Sequence, residues 1–290
     1  MVMSLTDSKK TVQDVEEFWS KHPLFQGESD HEPGSKAWFM DHESVYIRDC
    51  FAGGQPDPIF TKTITQQSKV LDVGCGPGFW VRYFLRMGIR DVHACDLTAT
   101  AVALTKRSLE LFELAADIKV GNAEQLPYPN GMFDHVNCQG VIHHTPSPEN
   151  SLREFHRVLK PGGTVCFSVY HKNFLLRHPL LLKIVSTLTH RFIGLKGRGR
   201  ENLLSSGNSE EIVRLYDGSN NPIGRSYTKH ELLAMTDGLF RIDEIRYFFF
   251  PARALPFRIP LMLHRFLHRQ AGLMIVLSGT RLGKKSDHLK

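Results

Sequence analysis

Apolar and polar positions change their period several times along the chain. TVQDVEEFWSKHPL repeats at helical spacing, with Val12, Val15, Phe18 and Trp19 on one side, and Pro23 ends it. HEPGSKAWFMDHESVYIRDCF reads as a loop and then a helix carrying Trp38, Phe39 and Tyr46. From Lys69 short apolar strands alternate with helices. KVLDVGC, DVHACDL, DIKVGNA, FDHVNCQGVIHH and TVCFSVY are the strands. FWVRYFLRMG, ending at Gly88, TATAVALTKRSLELFEL, with Thr98 as N-cap, and SPENSLREFHRVLK, ending at Pro161-Gly162-Gly163, are the helices. This order implies a parallel sheet with helices on both faces. After Tyr170 the pattern lapses. It resumes in TKHELLAMTDGLF, a helix, and RIDEIRYFFF, a strand. PARALPFRIPLMLHRFLHRQ interrupts it again before a last strand, GLMIVLSGTR. There is no internal repeat.

The 290 residues suffice for one large core with decorations, and the formal charge of +6 is only a weak pointer to anionic partners. Cys50, Cys75, Cys95, Cys138 and Cys166 form no C-x-x-C pair, and most lie in apolar runs. This suggests a reducing compartment and argues against a disulfide framework or a structural zinc. MVMSLTDSKK has no apolar stretch of a secretory leader, and no run has the length of a membrane span. The expected location is the cytoplasm.

Chemistry concentrates where the strands end, which is where an open parallel sheet binds its ligand. VLDVGCGPGFW holds Gly74, Gly76 and Gly78 in a G-x-G-x-G pattern, not the G-x-G-x-x-G of dinucleotide binders. Asp72 stands two residues before the first glycine, where it would repel a pyrophosphate. These residues suit a ligand with an amino-acid or sugar portion lying against backbone. Asp96 ends the second strand, where a carboxylate can accept both hydroxyls of an unphosphorylated ribose. The corner Gly121-Asn122-Ala123-Glu124 brings a side-chain amide towards the edge of a base. A dehydrogenase is the competing reading of a glycine turn alone.

LDVGCGPGFW, ACDLT, VGNAEQLPYPNGMFDHV and GVIHHTPSPENSLREFHRVLKPGG together resemble the class I S-adenosylmethionine-dependent methyltransferases. They are closest to the small-molecule branch that includes the ubiquinone and menaquinone methyltransferases. The resemblance is strong from about Lys69 to Tyr170 and weaker beyond. It implies an α/β, Rossmann-like fold, with a seven-stranded, mostly parallel sheet, an antiparallel last strand and helical cap insertions. It implies S-adenosylmethionine as cofactor. Asp72, Gly74, Cys75, Gly76 and Gly78 would line the methionine end. Asp96 would hold the ribose, and Leu97 would pack on the adenine. Asn122 and Ala123 would meet the adenine edge, and Gln139 and Gly140 would lie near the methionine carboxylate. Asn122 departs from the family's usual aspartate but keeps an acceptor oxygen.

Transfer from an activated methyl donor asks the protein mainly to align an acceptor and exclude water. A base is needed when the acceptor arrives as a hydroxyl or carbon acid. His143 and His144 are the candidates, against the plainer reading that one of them orders its loop. Tyr170, His171 and Tyr227 are weaker substrate-side candidates. A metal is disfavoured, because adjacent side chains diverge and no carboxylate is spaced nearby. The chain reads as one methyltransferase domain, 1–290. It divides into an N-terminal helical flap (11–60), a cofactor-binding core (69–170), a cap insertion (171–226), a helix and strand six (227–250), a second insertion (251–271) and the last strand (272–281).

Both insertions interleave basic and apolar residues. Arg253, Arg258, Arg265 and Arg269 stand among leucines and phenylalanines, and Arg177, Lys183, Arg191, Lys196, Arg198 and Arg200 do likewise. They read as cap helices with basic residues facing water, or as a surface for peripheral membrane contact. Nucleic acid is disfavoured, since Cys138-Gln139-Gly140-Val141 lacks the Asn/Asp-Pro-Pro-aromatic signature of base methylation. The expected partner is a small lipophilic or aromatic acceptor, methylated at oxygen or carbon. A non-catalytic cofactor-binding accessory protein, or a methyltransferase on an RNA or protein target, are the alternatives. Oligomeric state stays open.

Overall fold

The computed structural model describes residues 10–178, 180–181, 184, 209–218, 220–250, 252 and 257–283. Lys183, Arg191, Lys196, Arg198, Arg200 and Arg253 lie outside the described residues. Two helices come first, α1 (Val12–Lys21) and α2 (Lys36–Phe51). The α/β part follows as β1 (Lys69–Val73), α3 (Phe79–Arg86), β2 (Asp91–Asp96), α4 (Ala99–Leu111), β3 (Asp117–Val120), β4 (Phe133–Gln139), α5 (Pro148–Val158) and β5 (Leu159–His171). Then come α6 (Phe174–Arg177), α7 (Ser209–Tyr216), β6 (Ser226–Tyr227), α8 (Lys229–Thr236), β7 (Phe240–Phe248), α9 (Leu261–Ala271) and β8 (Met274–Arg281).

The sheet order is β3-β2-β1-β4-β5-β8-β7. β8 runs antiparallel to both its neighbours, and the pairs among β1 to β5 are parallel. This is the expected seven-stranded arrangement with one addition, the two-residue β6 beside the end of β5. Strand alternation divides the core between the two faces. Val70, Val92 and Ala94 pack with Trp80 and Phe84 of α3 and Leu109 of α4. Leu71, Val73 and Val136 pack with Leu152 and Phe155 of α5 and Leu232 of α8. Both faces are covered, so β1 is buried at every position after Lys69, Asp72 included.

Three boundaries differ from the sequence expectation. α5 stops at Val158, because Leu159 already pairs with Phe133 of β4. Pro161-Gly162-Gly163 is therefore a bulge inside β5, where the register shifts between Phe133 and His135. β4 ends at Gln139. Gly140, at φ 76°, turns the chain into a short 3-10 turn (Ile142–His144). β3 ends at Val120, and Asn122 and Gln125 form an isolated bridge beyond it.

α2 is held to the core by a buried arginine. Arg82 of α3 donates to Pro77 O, to Ser108 Oγ of α4 and to Glu43 Oε2 of α2, and it lies over the Phe39 and Phe112 rings. Burial lowers its pKa, while Glu43 opposes that shift. Trp38 and Phe39 are core residues of this junction, packed with Phe25. In α9 the inward residues are His264 and His268, whereas Met262 is 85% and Phe266 59% exposed. Arg258, Arg265 and Arg269 are exposed beside them. No helix among the described residues is long and apolar enough to cross a membrane.

The first glycine sets the loop after β1. Gly74 has φ 76°, and a Cβ on it would stand 2.2 Å from Val141 Cγ2. Gly74→Ala is expected to destabilise the fold by roughly 2–4 kcal/mol, from left-handed strain plus the clash. Urea unfolding reads this directly. A loss under 0.5 kcal/mol would contradict the close approach.

Candidate functional site

Two cavities open over the carboxyl ends of the central strands and share a wall. The first holds about 880 Å³ of free space, part of it open to solvent. Gly74 and Gly76 line it from the β1 loop, and Asp96 and Leu97 from the end of β2. Asn122 and Ala123 line it after β3, and Gln139 and Gly140 after β4. Val15, Trp19 and Leu24 close it from the N-terminal side. The second holds about 830 Å³. Its walls are largely aromatic: Phe25, Tyr46, Tyr170, Tyr216, Phe248 and Phe249. Leu24, Gln139, Gly140 and Asp217 line both cavities.

The first cavity is built by hydrogen bonds between loops. Gly74 N and Cys75 N both donate to Cys95 O, at 2.7 and 3.1 Å. Asp96 Oδ2 accepts from Gly76 N at 3.1 Å, and its Oδ1 accepts from Thr98 N and Thr98 Oγ1 at 3.0 and 3.1 Å. Burial raises the Asp96 pKa, and these hydrogen bonds oppose the rise. Oδ1 thus already accepts two hydrogen bonds, and Oδ2 keeps a lone pair for a ligand. Asn122 Oδ1 accepts from Glu124 N at 2.9 Å, so the amide shapes its own turn.

Three expected cofactor residues stand behind this surface, not on it. Asp72 is buried, and its Oδ1 accepts from Asn137 Nδ2 at 2.7 Å while Oδ2 has no partner. Burial pushes its pKa up to about 7, helped by Asp96 and opposed by Asn137. Cys75 is buried, with Thr105 Oγ1 donating to its sulfur at 3.4 Å. Gly78 packs on Thr105 at the start of α3. They shape the loop rather than the cavity wall.

The histidine loop is tighter than its sequence suggested. The His143 and His144 rings lie 4.1 Å apart, and both are buried. His143 lines the second cavity and His144 the first. Burial, with His144 adding, holds the His143 pKa well below the ordinary range, so its ring is neutral. Its Nδ1 has no partner. His144 Nδ1 donates to Ile223 O at 2.6 Å, and its Nε2 faces Asp217 Oδ2 at 3.2 Å. Trp19 of α1 packs edge-on against His144 at 5.2 Å.

The substrate-side candidates divide by strand parity. Tyr170 lines the second cavity, and its hydroxyl donates to Asp217 Oδ2 at 2.6 Å. His171 lines neither cavity. Its ring packs at a tilt of 35° against Tyr247 at 4.5 Å, and burial lowers its pKa. Tyr227 pairs in register with His171 and also lines neither cavity. Burial pushes its phenol up to about 12. Asp217 was not anticipated. Its only local signal is an acid closing the apolar stripe Ile212, Val213, Tyr216 of α7. It removes the spacing objection to a metal, since it supplies the missing carboxylate and the two histidines converge on it. Two of the cavity phenylalanines, Phe25 and Phe249, hold left-handed backbone at φ 71° and 64°. Such strain collects at functional sites.

The comparisons agree with this geometry. Residues 71–167 match the family described as a methyltransferase domain. The ubiquinone biosynthesis O-methyltransferase of Azoarcus sp. (strain BH72) is 29% identical over 167 residues, which cover 55% of this chain and 71% of that protein. The enzyme of that name from Pseudomonas aeruginosa (strain UCBPP-PA14) is 33% identical over 106 residues, covering 36% of this chain and 45% of that protein. This chain spans about half the length of most curated relatives it matches. A solved S-adenosylmethionine-dependent methyltransferase from Methanosarcina mazei superposes with a TM-score of 0.54 at 20% identity, covering 79% of this chain and 99% of that one, and shows the shared fold. Residues 71–167 carry a methyltransferase domain, and the chain is similar to the class I S-adenosylmethionine-dependent methyltransferases. Within that class it resembles the ubiquinone methyltransferases, and its cofactor is S-adenosylmethionine. The first cavity fits that molecule, for Gly74 has no room for a side chain and Gln139 Oε1 is a buried acceptor without a partner, suited to an ammonium.

Asp72 gives the free protein a pH signature. An ordinary aspartate value is 3.8, against about 7 in the fold. Between these values the folded state keeps a proton that the unfolded chain loses. The contribution of Asp72 to stability is therefore full below about pH 4, falls as pH rises towards 7 and is level above that. Asp72→Asn is expected to remove on the order of 2–4 kcal/mol of that fall. Urea melts of both proteins at pH 5 and 8 measure it. Parallel pH profiles would show that Asp72 is charged throughout.

Proposed function

We propose that this chain transfers the methyl group of S-adenosylmethionine to a small lipophilic or aromatic acceptor, with oxygen favoured over carbon. One observation carries the reading: a cofactor-sized cavity and an aromatic cavity meet at Gln139 and Gly140. When bound, S-adenosylmethionine supplies an electrophilic methyl group. In this reading Asp96 accepts the ribose hydroxyls, Leu97 and Ala123 flank the adenine, and Asn122 meets its edge. Gly74 and Gly76 lie against the amino-acid portion, and Gln139 Oε1 takes the ammonium. Aromatic walls orient a flat acceptor, and His143 Nδ1, which has no partner, hydrogen-bonds its hydroxyl. Trp19 and Leu24 exclude water. The names of the two ubiquinone biosynthesis relatives favour an oxygen acceptor. Cys75, Cys95, Cys138 and Cys166, buried and in no disulfide, support a cytoplasmic location.

Asp96→Ala is expected to weaken S-adenosylhomocysteine binding at least about tenfold, since two charge-assisted hydrogen bonds are lost. Calorimetry measures this, and unchanged affinity would contradict the ribose assignment. Labelled methyl transfer into a panel of phenols, catechols and a lysate tests turnover. Tight product binding with no labelled acceptor would favour an accessory protein.

We further propose that α9 rests on an anionic membrane surface, through Met262 and Phe266 flanked by Arg258, Arg265 and Arg269. Wild type should float with phosphatidylglycerol vesicles, and Met262→Glu/Phe266→Glu should not. Equal flotation of the two would remove this contact.

A further inference from the structure

We propose that His143, His144 and Asp217 form a site for a divalent first-row transition-metal cation, at the wall shared by the two cavities. One ligand atom from each of the three lies within 4.8 Å of the others, and all three side chains are buried. The donor set is two imidazoles and one carboxylate, which suits zinc, iron or manganese better than magnesium or calcium.

The hydrogen bonds around the cluster are those of ligands held for an ion. His144 Nδ1 is committed as a donor to Ile223 O at 2.6 Å, and this leaves the lone pair of Nε2 directed at Asp217. Fixing the far nitrogen on a carbonyl is the usual way a histidine ligand is oriented. Nε2 and Asp217 Oδ2 stand 3.2 Å apart. That matches the edge of a coordination shell with bonds of about 2.1 Å. Two atoms that both present lone pairs at this separation need a cation between them, a proton or a metal. Tyr170 donates to the same carboxylate at 2.6 Å, as outer partners of a ligating carboxylate do. His143 completes the set with a buried side chain whose Nδ1 has no partner.

Three protein ligands leave coordination positions open. Since His143 and Asp217 both line the aromatic cavity, those positions face the acceptor. The ion would then hold an acceptor through a hydroxyl, or through two vicinal hydroxyls, and fix which oxygen faces the methyl donor. Only this use of the open positions rests on the methyltransferase reading. The cation site itself does not.

The test is direct binding. Full-length protein stripped with a chelator is titrated with zinc or manganese by calorimetry, and metal content after gel filtration is measured by mass spectrometry. The expected result is one equivalent per chain, with affinity reduced about 100-fold or more in Asp217→Asn and in His144→Gln. No stoichiometric uptake, or unchanged affinity in both variants, would overturn the site. If neither variant folds, the visible spectrum of cobalt-loaded wild type decides. Nitrogen and oxygen ligation supports the site, and thiolate charge-transfer bands would place the ion on a cysteine instead. S-adenosylhomocysteine binding by wild type is measured in parallel. Product bound without metal uptake removes the cation site and leaves the methyltransferase reading intact.

Discussion

Everything in the site depends on how closely the loop after β1 approaches the loop after β4. Gly74 lies against Val141 with no room for a side chain. That contact sets the glycine cradle beside Gln139 and Gly140, and therefore sets one cavity beside the other. Asp96 reinforces it from the second strand by accepting from Gly76 N. Gly74, Gly76 and Asp96 are thus held by one another before any ligand arrives. Pre-formed geometry of this kind lowers the ordering cost of binding.

The same closeness forces polar groups out of water. Asp72, Asp96 and His143 are all shifted by burial towards their neutral forms. Gln139 Oε1, Asp72 Oδ2 and His143 Nδ1 are buried acceptors or ring nitrogens without partners. A folded protein tolerates few such groups unless a ligand completes them. Gln139 lines both cavities and His143 the second, while Asp72 stands behind the wall of the first. The N-terminal helices complete the enclosure: Trp19 covers His144, and Arg82 ties α2 to α3 and α4.

Legibility followed the range of the interactions. The parallel sheet was readable from the alternation of strands and helices, and the cavity-lining places of Gly74, Gly76, Asp96 and Asn122 because each lies in a local pattern at a strand end. Tyr170 and His171 could have been told apart by strand parity alone, since adjacent strand residues face opposite sides. Tyr227 then follows His171 through their register. The Pro161-Gly162-Gly163 bulge was hidden because proline and glycines normally end a helix, and only pairing with Phe133 shows the strand continuing. Asp217 and the Phe248–Phe249 wall were illegible for a different reason. They reach the histidines only through the fold of distant insertions, and no local spacing carries that information. For α9 the sequence left two readings open, a cap helix or a membrane-contact surface, because its periodicity does not say which side is buried.

The central claim is that the methyl donor and the acceptor meet at Gln139 and Gly140. The most direct measurement is a crystal structure of the protein with S-adenosylhomocysteine. The account predicts the ribose on Asp96, the amino-acid end on the Gly74–Gly76 backbone, and the sulfur at the Gln139–Gly140 junction facing the aromatic cavity. A product whose sulfur points away from that cavity, or that binds elsewhere, would contradict it.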